Sequence, residues 1–153
     1  MIRPRRTMLY APATNARAVA KARTLEADCV ALDLEDAVAP DAKAAARAAA
    51  LAAIATGNWG RRELIVRVNG LETPEAEADF AALAGSAADA ILLPKLRSAQ
   101  DAARGVALAA GKPLWVMIET PQAVLHAEQI AATPGVAALV AGFNDLALEL
   151  RAR

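Results

Sequence analysis

Cysteine and histidine are nearly missing from this sequence, which holds one of each in 153 residues, Cys29 and His126. That excludes an intramolecular disulfide framework, a cysteine-rich zinc site and the two-histidine zinc motifs. Aromatic residues make up only 3% of the chain, and no window approaches the roughly 18 apolar residues of a membrane-spanning helix. An excess of one charge is missing too. Seventeen basic residues balance seventeen acidic ones, which removes the electrostatic footprint of a nucleic-acid or anionic-membrane partner. The basic start Met-Ile-Arg-Pro-Arg-Arg is followed by about five apolar residues before Pro12, short of the roughly 7–15 of a signal peptide. The expectation is a cytoplasmic protein with no membrane or nucleic-acid partner. It forms one domain over residues 1–153, a length that buries roughly two-thirds of the unfolded chain's surface.

What the chain has in abundance is alanine, 43 of its residues. Short apolar runs rich in Val, Ile and Leu lie at 7–11, 29–34, 64–68, 90–94, 114–118 and 136–141. Between them run Ala-, Leu-, Arg- and Glu-rich stretches at 15–27, 41–55, 74–84, 98–110 and 121–132. The short runs read as strands buried on both faces of a parallel sheet, and the long ones as helices. Thr14 or Asn15, Ser98 and Thr120 supply helix caps, and Pro40, Pro74 and Pro121 suit first helical positions. The strand–helix step recurs at about 25 residues, the size of a βαβ unit. Five steps, a sixth strand and a helix over 145–153 fit two architectures. One is an open doubly wound sheet; the other is an incomplete (β/α)8 TIM barrel of about six βα units.

Both architectures carry chemistry at the carboxyl ends of strands. Those ends read Asp33-Leu-Glu-Asp36, Arg67-Val-Asn-Gly70, Pro94-Lys95, Glu119-Thr-Pro121 and Phe143-Asn-Asp145. Glu119 and Asp145 follow consecutive strands, which lie about 4.8 Å apart when paired. Two carboxylates there are hard oxygen ligands suited to Mg2+ completed by water and substrate; alternatively each caps the helix that follows it. Arg67 lies in an otherwise apolar strand on the face of Ile65 and Asn69, and needs an anion. That anion is a substrate carboxylate, or a structural partner among Asp33, Glu35 and Asp36, at least one of which serves structure. Lys95 has three readings: Schiff-base lysine, substrate cation or ion-pair partner. The first is the weakest, because a metal pair already offers an electron sink. Cys29, His126, Trp59 and Trp115 read as structural.

These motifs, in this order and together with Leu9-Tyr-Ala-Pro-Ala-Thr-Asn15, resemble the citrate lyase beta subunit-like (CoA ester lyase) branch of the HpcH/HpaI aldolase family. The resemblance runs over essentially the whole chain and rests on Asp33-Leu-Glu-Asp-Ala-Val38, Arg67-Val-Asn-Gly70, Leu92-Leu-Pro-Lys95, Ile118-Glu-Thr-Pro121 and Asn144-Asp-Leu146. It implies a TIM barrel and a Mg2+-dependent carbon–carbon lyase. The reaction implied is retro-Claisen or aldol-type cleavage of a 3-hydroxyacyl-CoA thioester of the citryl-, malyl- or citramalyl-CoA type, in a homo-oligomer.

By motif, Glu119 and Asp145 become the metal ligands, with Glu119 also beside the substrate. Arg67 binds the acyl-CoA substrate or 2-oxo acid product, and Glu35, Asp36 and Lys95 line the catalytic pocket. The family pattern continues for two more βα units and an acidic residue beyond position 153, so the expected general base falls outside this sequence, with Glu35 or Asp36 as candidates within it. The competing expectation is a shortened, non-catalytic α/β domain that retains metal binding and pairs its open sheet edges with a partner. A nucleotide-binding open sheet is disfavoured, because the loop after the first strand, Ala11-Pro-Ala-Thr-Asn15, lacks phosphate-cradling glycines.

Overall fold

The computed structural model describes residues 3–152; Met1, Ile2 and Arg153, at the basic start and at the end of the expected last helix, lie outside them. Six strands form one parallel sheet: β1 (Met8–Pro12), β2 (Cys29–Asp33), β3 (Glu63–Arg67), β4 (Ala90–Leu93), β5 (Leu114–Ile118) and β6 (Val136–Ala141). They lie side by side in chain order. A doubly wound sheet reverses its strand order at a switch point, whereas a barrel does not. The sequential order therefore decides for the barrel, and the sheet remains open between β1 and β6.

Seven helices connect and follow the strands: α1 (Ala16–Ala22), α2 (Lys43–Thr56), α3 (Ala76–Leu83), α4 (Ala99–Leu108), α5 (Pro121–Leu125), α6 (Ala127–Ala131) and α7 (Phe143–Glu149). Asn15 caps α1 by accepting from the Ala18 N–H at 2.9 Å. Ser98 and Asp101 close a reciprocal capping box at α4, and Thr120 caps α5.

Three boundaries depart from expectation. Pro74 does not open the third helix: the Thr73 hydroxyl before it donates to the Gly70 carbonyl at 2.7 Å and closes a turn, so α3 starts later, at Ala76. The stretch 121–132 is two helices, because His126 leaves helical geometry at φ −108°, ψ 13°. The last helix starts at Phe143 rather than Asp145, with Gly142 as its cap.

Side chains alternate between the two faces of the sheet. The outer core takes Val30, Leu32, Leu64, Val66, Ile91, Leu93, Leu114 and Val116, packed against Ala22, Ala46, Ala50, Phe80, Leu83, Ala102 and Ile130 of the helices. Alanine keeps those helices close to the sheet. α4 comes closer still: a Cβ at Gly105 would meet Leu93 Cδ2 at 2.7 Å. The inner core is smaller: Cys29, Ile65, Ala90, Leu92, Trp115 and Met117. Truncating any fully buried Leu of the outer core to Ala is worth roughly 2–5 kcal/mol. The outer face thus holds the fold, and the inner face leads to the site.

Candidate functional site

The alternation that sends Cys29, Ile65 and Trp115 inward also puts Asp33, Arg67 and Met117, at or near their strands' carboxyl ends, on the inner face. Register sets Asp33 directly opposite Arg67. Their side chains form a two-pronged pair, Arg67 Nε to Asp33 Oδ1 at 2.8 Å and Nη2 to Oδ2 at 2.7 Å. Asp33 also accepts from the N–H groups of Glu35 and Ala37, which makes it the structural carboxylate of the three after β2. Arg67 Nη1 points elsewhere, 3.0 Å from Glu35 Oε2 and 3.5 Å from Asp36 Oδ2. The Glu35 oxygen lies off the N–H direction: it is buried and charge-paired but has no hydrogen bond. The Arg67 guanidinium also faces the Tyr10 ring at 5.4 Å.

Lys95 binds the opposite side of the cluster. Its Nζ lies 2.6 Å from Glu35 Oε1, 2.8 Å from Asp36 Oδ1 and 3.7 Å from Asp145 Oδ2. Its backbone N–H donates to Glu119 Oε1 at 2.8 Å. Glu119 itself is buried and does not cap α5, because Thr120 does. Asp145 lies in the first turn of α7, where no side chain makes a capping hydrogen bond. Neither carboxylate makes a capping hydrogen bond, while Asp145 keeps the favourable place of an acid in the first turn of a helix. β5 pairs with β6 up to Ile118 and Ala141, so the two carboxylates follow adjoining strand tips. Gly142 lies against Glu119: a Cβ there would come within 2.6 Å of Glu119 Cβ and 2.7 Å of Oε2.

Asn69 departs from its expected place beside Arg67. β3 ends at Arg67, and past it the alternation stops. Asn69 is buried, donating through both its backbone N–H and Nδ2 to Asp79 Oδ2 of α3, and Arg47 binds the other oxygen of Asp79. His126 is exposed at the α5–α6 junction and Cys29 is buried at the opposite end of the sheet, consistent with structural roles.

Two clefts flank the cluster. One, of about 670 Å³, is lined by Tyr10, Asp33, Arg67, Met117, Glu119 and Asp145, among others. The other, of about 590 Å³, runs past Lys43, Asn69, Glu72, Lys95 and Arg97, and Asp36 borders both. Five carboxyl groups face two cations here, an excess of three negative charges when all are ionised.

The acid strengths follow this arrangement. Burial, together with the charges of Glu35 and Asp145, pushes Glu119 up to about 7 against the pull of the Lys95 N–H. Burial likewise raises Glu35. Burial opposes ionisation of Asp36, but its bond and charge contact with Lys95 outweigh that and hold it below the ordinary carboxylate value. Burial acts against the Arg67 and Lys95 charges as well, and the surrounding carboxylates overcome it, raising both.

These donors fit a hard divalent cation of the Mg2+ type. Glu119 and Asp145 carry hard oxygen donors in a region short of positive charge. Among the described residues no group of three His, Cys, Asp or Glu is arranged to hold an ion.

A family model for HpcH/HpaI aldolase/citrate lyase matches residues 6–153. This chain belongs to the HpcH/HpaI aldolase/citrate lyase family. A (3S)-malyl-CoA thioesterase of Cereibacter sphaeroides is 47% identical over 98% of the chain and 53% of that protein. An L-malyl-CoA/beta-methylmalyl-CoA lyase of the same species is 39% identical over 97% of the chain and 51% of that protein. The citrate lyase beta subunit of Mycobacterium tuberculosis, solved in complex with oxaloacetate and magnesium, superposes with a TM-score of 0.79 at 33% identity, covering 96% of this chain and 63% of that one. The chain spans about half the length of the curated relatives it matches.

Within this family frame, sequence reasoning missed Tyr10, Met117 and Gly142. The signal for Tyr10 was the alternation in β1, which sends it to the face of Met8. Met117 was hidden as one more apolar strand residue. Gly142 carries no sequence signal for its contact with Glu119.

Proposed function

We propose that residues 1–153 form one partial barrel domain carrying the metal- and substrate-binding half of a carbon–carbon lyase for a 3-hydroxyacyl-CoA thioester of the citryl-, malyl- or citramalyl-CoA type, working as a homo-oligomer. The observation that carries this reading is the under-neutralised carboxylate cluster at the strand tips, in a chain whose relatives are named for malyl-CoA. Glu119 and Asp145 hold Mg2+, which when bound supplies a Lewis acid for the hydroxyl and carboxylate, or the 2-oxo acid, of the substrate. Arg67 keeps Nε and Nη2 on Asp33 and offers Nη1, whose contacts with Glu35 and Asp36 are the longer ones, to a substrate carboxylate or developing enolate. The Tyr10 ring and Met117 shape the apolar wall beside that guanidinium. Glu35, raised by burial and lying between Arg67 and Lys95, is with Asp36 the candidate within this chain for the group that exchanges a proton with the substrate. Asp36 and Lys95 keep it oriented.

A second reading has its own support: the 47% identical relative is named a thioesterase, so thioester hydrolysis is the competing outcome. Malyl-CoA with Mg2+ separates them. Carbon–carbon cleavage yields glyoxylate and acetyl-CoA, detected as a hydrazone; hydrolysis yields malate and a free thiol. Glyoxylate that disappears in Asp145→Asn supports the lyase. Free thiol without glyoxylate supports hydrolysis. Mg2+ binding by calorimetry without either product matches a metal-binding domain that needs a partner. Neither binding nor turnover overturns the reading.

A further inference from the structure

Lys95 sits where its backbone is least comfortable. Its φ is +56°, a left-handed conformation that glycine adopts without cost and that costs other residues about 1 kcal/mol or more. The conformation serves to aim its N–H at Glu119 Oε1, 2.8 Å away, a task glycine would perform as well. The side chain therefore has a separate role. Its ammonium sits among Glu35, Asp36 and Asp145 at 2.6, 2.8 and 3.7 Å. Apart from Arg67, which is committed to Asp33, it is the only cation contacting these carboxylates among the described residues.

We propose that the Lys95 ammonium is the resident counter-ion of the carboxylate cluster, holding the place of a divalent cation and competing with it for this side of the site. The proposal rests on the two-carboxylate metal reading given above. An ammonium 3.7 Å from Asp145 Oδ2 both neutralises that ligand and repels an arriving dication. Its flexible four-carbon stem and partly exposed head let it withdraw. Lys95 is thus a positioning residue with two separable parts. The backbone N–H orients Glu119, and the ammonium sets how tightly the metal is held.

Mn2+ titration calorimetry on the full chain tests this. Lys95→Met removes the charge and keeps the stem; Lys95→Gly removes the charge, keeps the N–H and suits the backbone, which guards against a folding failure. Both are expected to bind Mn2+ about tenfold more tightly than the parent, a modest factor because the ammonium is partly solvated. Lys95→Arg, which keeps the charge, should stay within about threefold. Unchanged or weaker binding in both neutral variants overturns the proposal, as does equal tightening in Lys95→Arg. Asp145→Ala separates the two levels. If it binds Mn2+ as the parent does, the two-carboxylate reading fails. If it loses binding while Lys95→Met does not tighten, only the counter-ion proposal fails.

Discussion

Replacing Arg67 with methionine removes the guanidinium that Asp33, Glu35 and Asp36 share. Asp33 is 2% exposed and Arg67 11%, so the pair has little solvent screening. Removing one partner of such a pair costs about 3–5 kcal/mol, because the remaining charge stays buried. Asp33 keeps the N–H groups of Glu35 and Ala37, and Glu35 keeps Lys95. Those retained donors put the loss at the lower end, about 3 kcal/mol. For a chain of this size that is roughly 6–12 °C in the thermal midpoint. Urea unfolding followed by circular dichroism measures it, and an unchanged slope confirms that the unfolded state is unaltered. The double variant Arg67→Met/Asp33→Asn should lose at least about 1.5 kcal/mol less than the two single losses combined, since the residues form one unit. A single loss below about 1 kcal/mol, or simple additivity, would refute the claim that Arg67 is held by Asp33 independently of substrate.

Gly142→Ala forces a methyl group against Glu119 and is expected to weaken Mn2+ binding at least about tenfold while costing about 1–3 kcal/mol of stability; calorimetry showing parent-like affinity would sink the placement of Glu119. The weakened acidity of Glu119, whose pKa rises from 4.5 to about 7, means the folded chain holds its proton more tightly than the unfolded one, so this group's contribution is complete below about pH 4.5 and is lost as pH rises through about 7. Glu119→Gln should therefore flatten the stability–pH curve over that window by about 3 kcal/mol, and superimposable curves would contradict it. Ser98→Ala breaks the capping box of α4 and is expected to cost about 1 kcal/mol; a midpoint unchanged in urea would show that the box is not needed.

The positions of all six strands were legible because each is a short apolar run, and period and length carry that signal. Boundaries were less so. The late start of α3 at Ala76 depends on which carbonyl a local donor finds, as with Thr73 and Gly70, and the break at His126 is a local change of backbone geometry; the sequence pattern is helical through both. That the charged residues of the strand ends gather in one cluster was readable from their place in the sequence, and the register of Asp33 with Arg67 explains why the tips of β2 and β3 converge. Asn69 was misplaced because alternation was extended past the end of β3. Asp79, buried on α3 between Asn69 and Arg47, carries no signal in the sequence pattern that sets it apart. The strand–helix pattern alone left barrel and doubly wound sheet open because both share the βα repeat; the family motifs pointed to the barrel, and strand order bears that out.

Charge is distributed unevenly across the open sheet, and that unevenness argues for where a dication belongs. The two cations of the cluster come from β3 and the loop after β4, and they spend their strongest contacts on Asp33, Glu35 and Asp36 after β2. The carboxylates that follow β5 and β6 have no cation on their own strands. Glu119 receives a backbone N–H, and Asp145 has only a 3.7 Å approach from Lys95. A second arginine on β5 or β6 would neutralise this pair permanently and close it to exchangeable ligands. Left under-neutralised, next to a guanidinium with one arm weakly held, the pair is what the proposed function requires: adjoining places for a divalent cation and for the carboxylate of an organic acid. The same crowding explains why these carboxyl groups resist ionisation: burial, with the charges of Glu35 and Asp145, raises Glu119, and burial, with the charge of Asp36, raises Glu35.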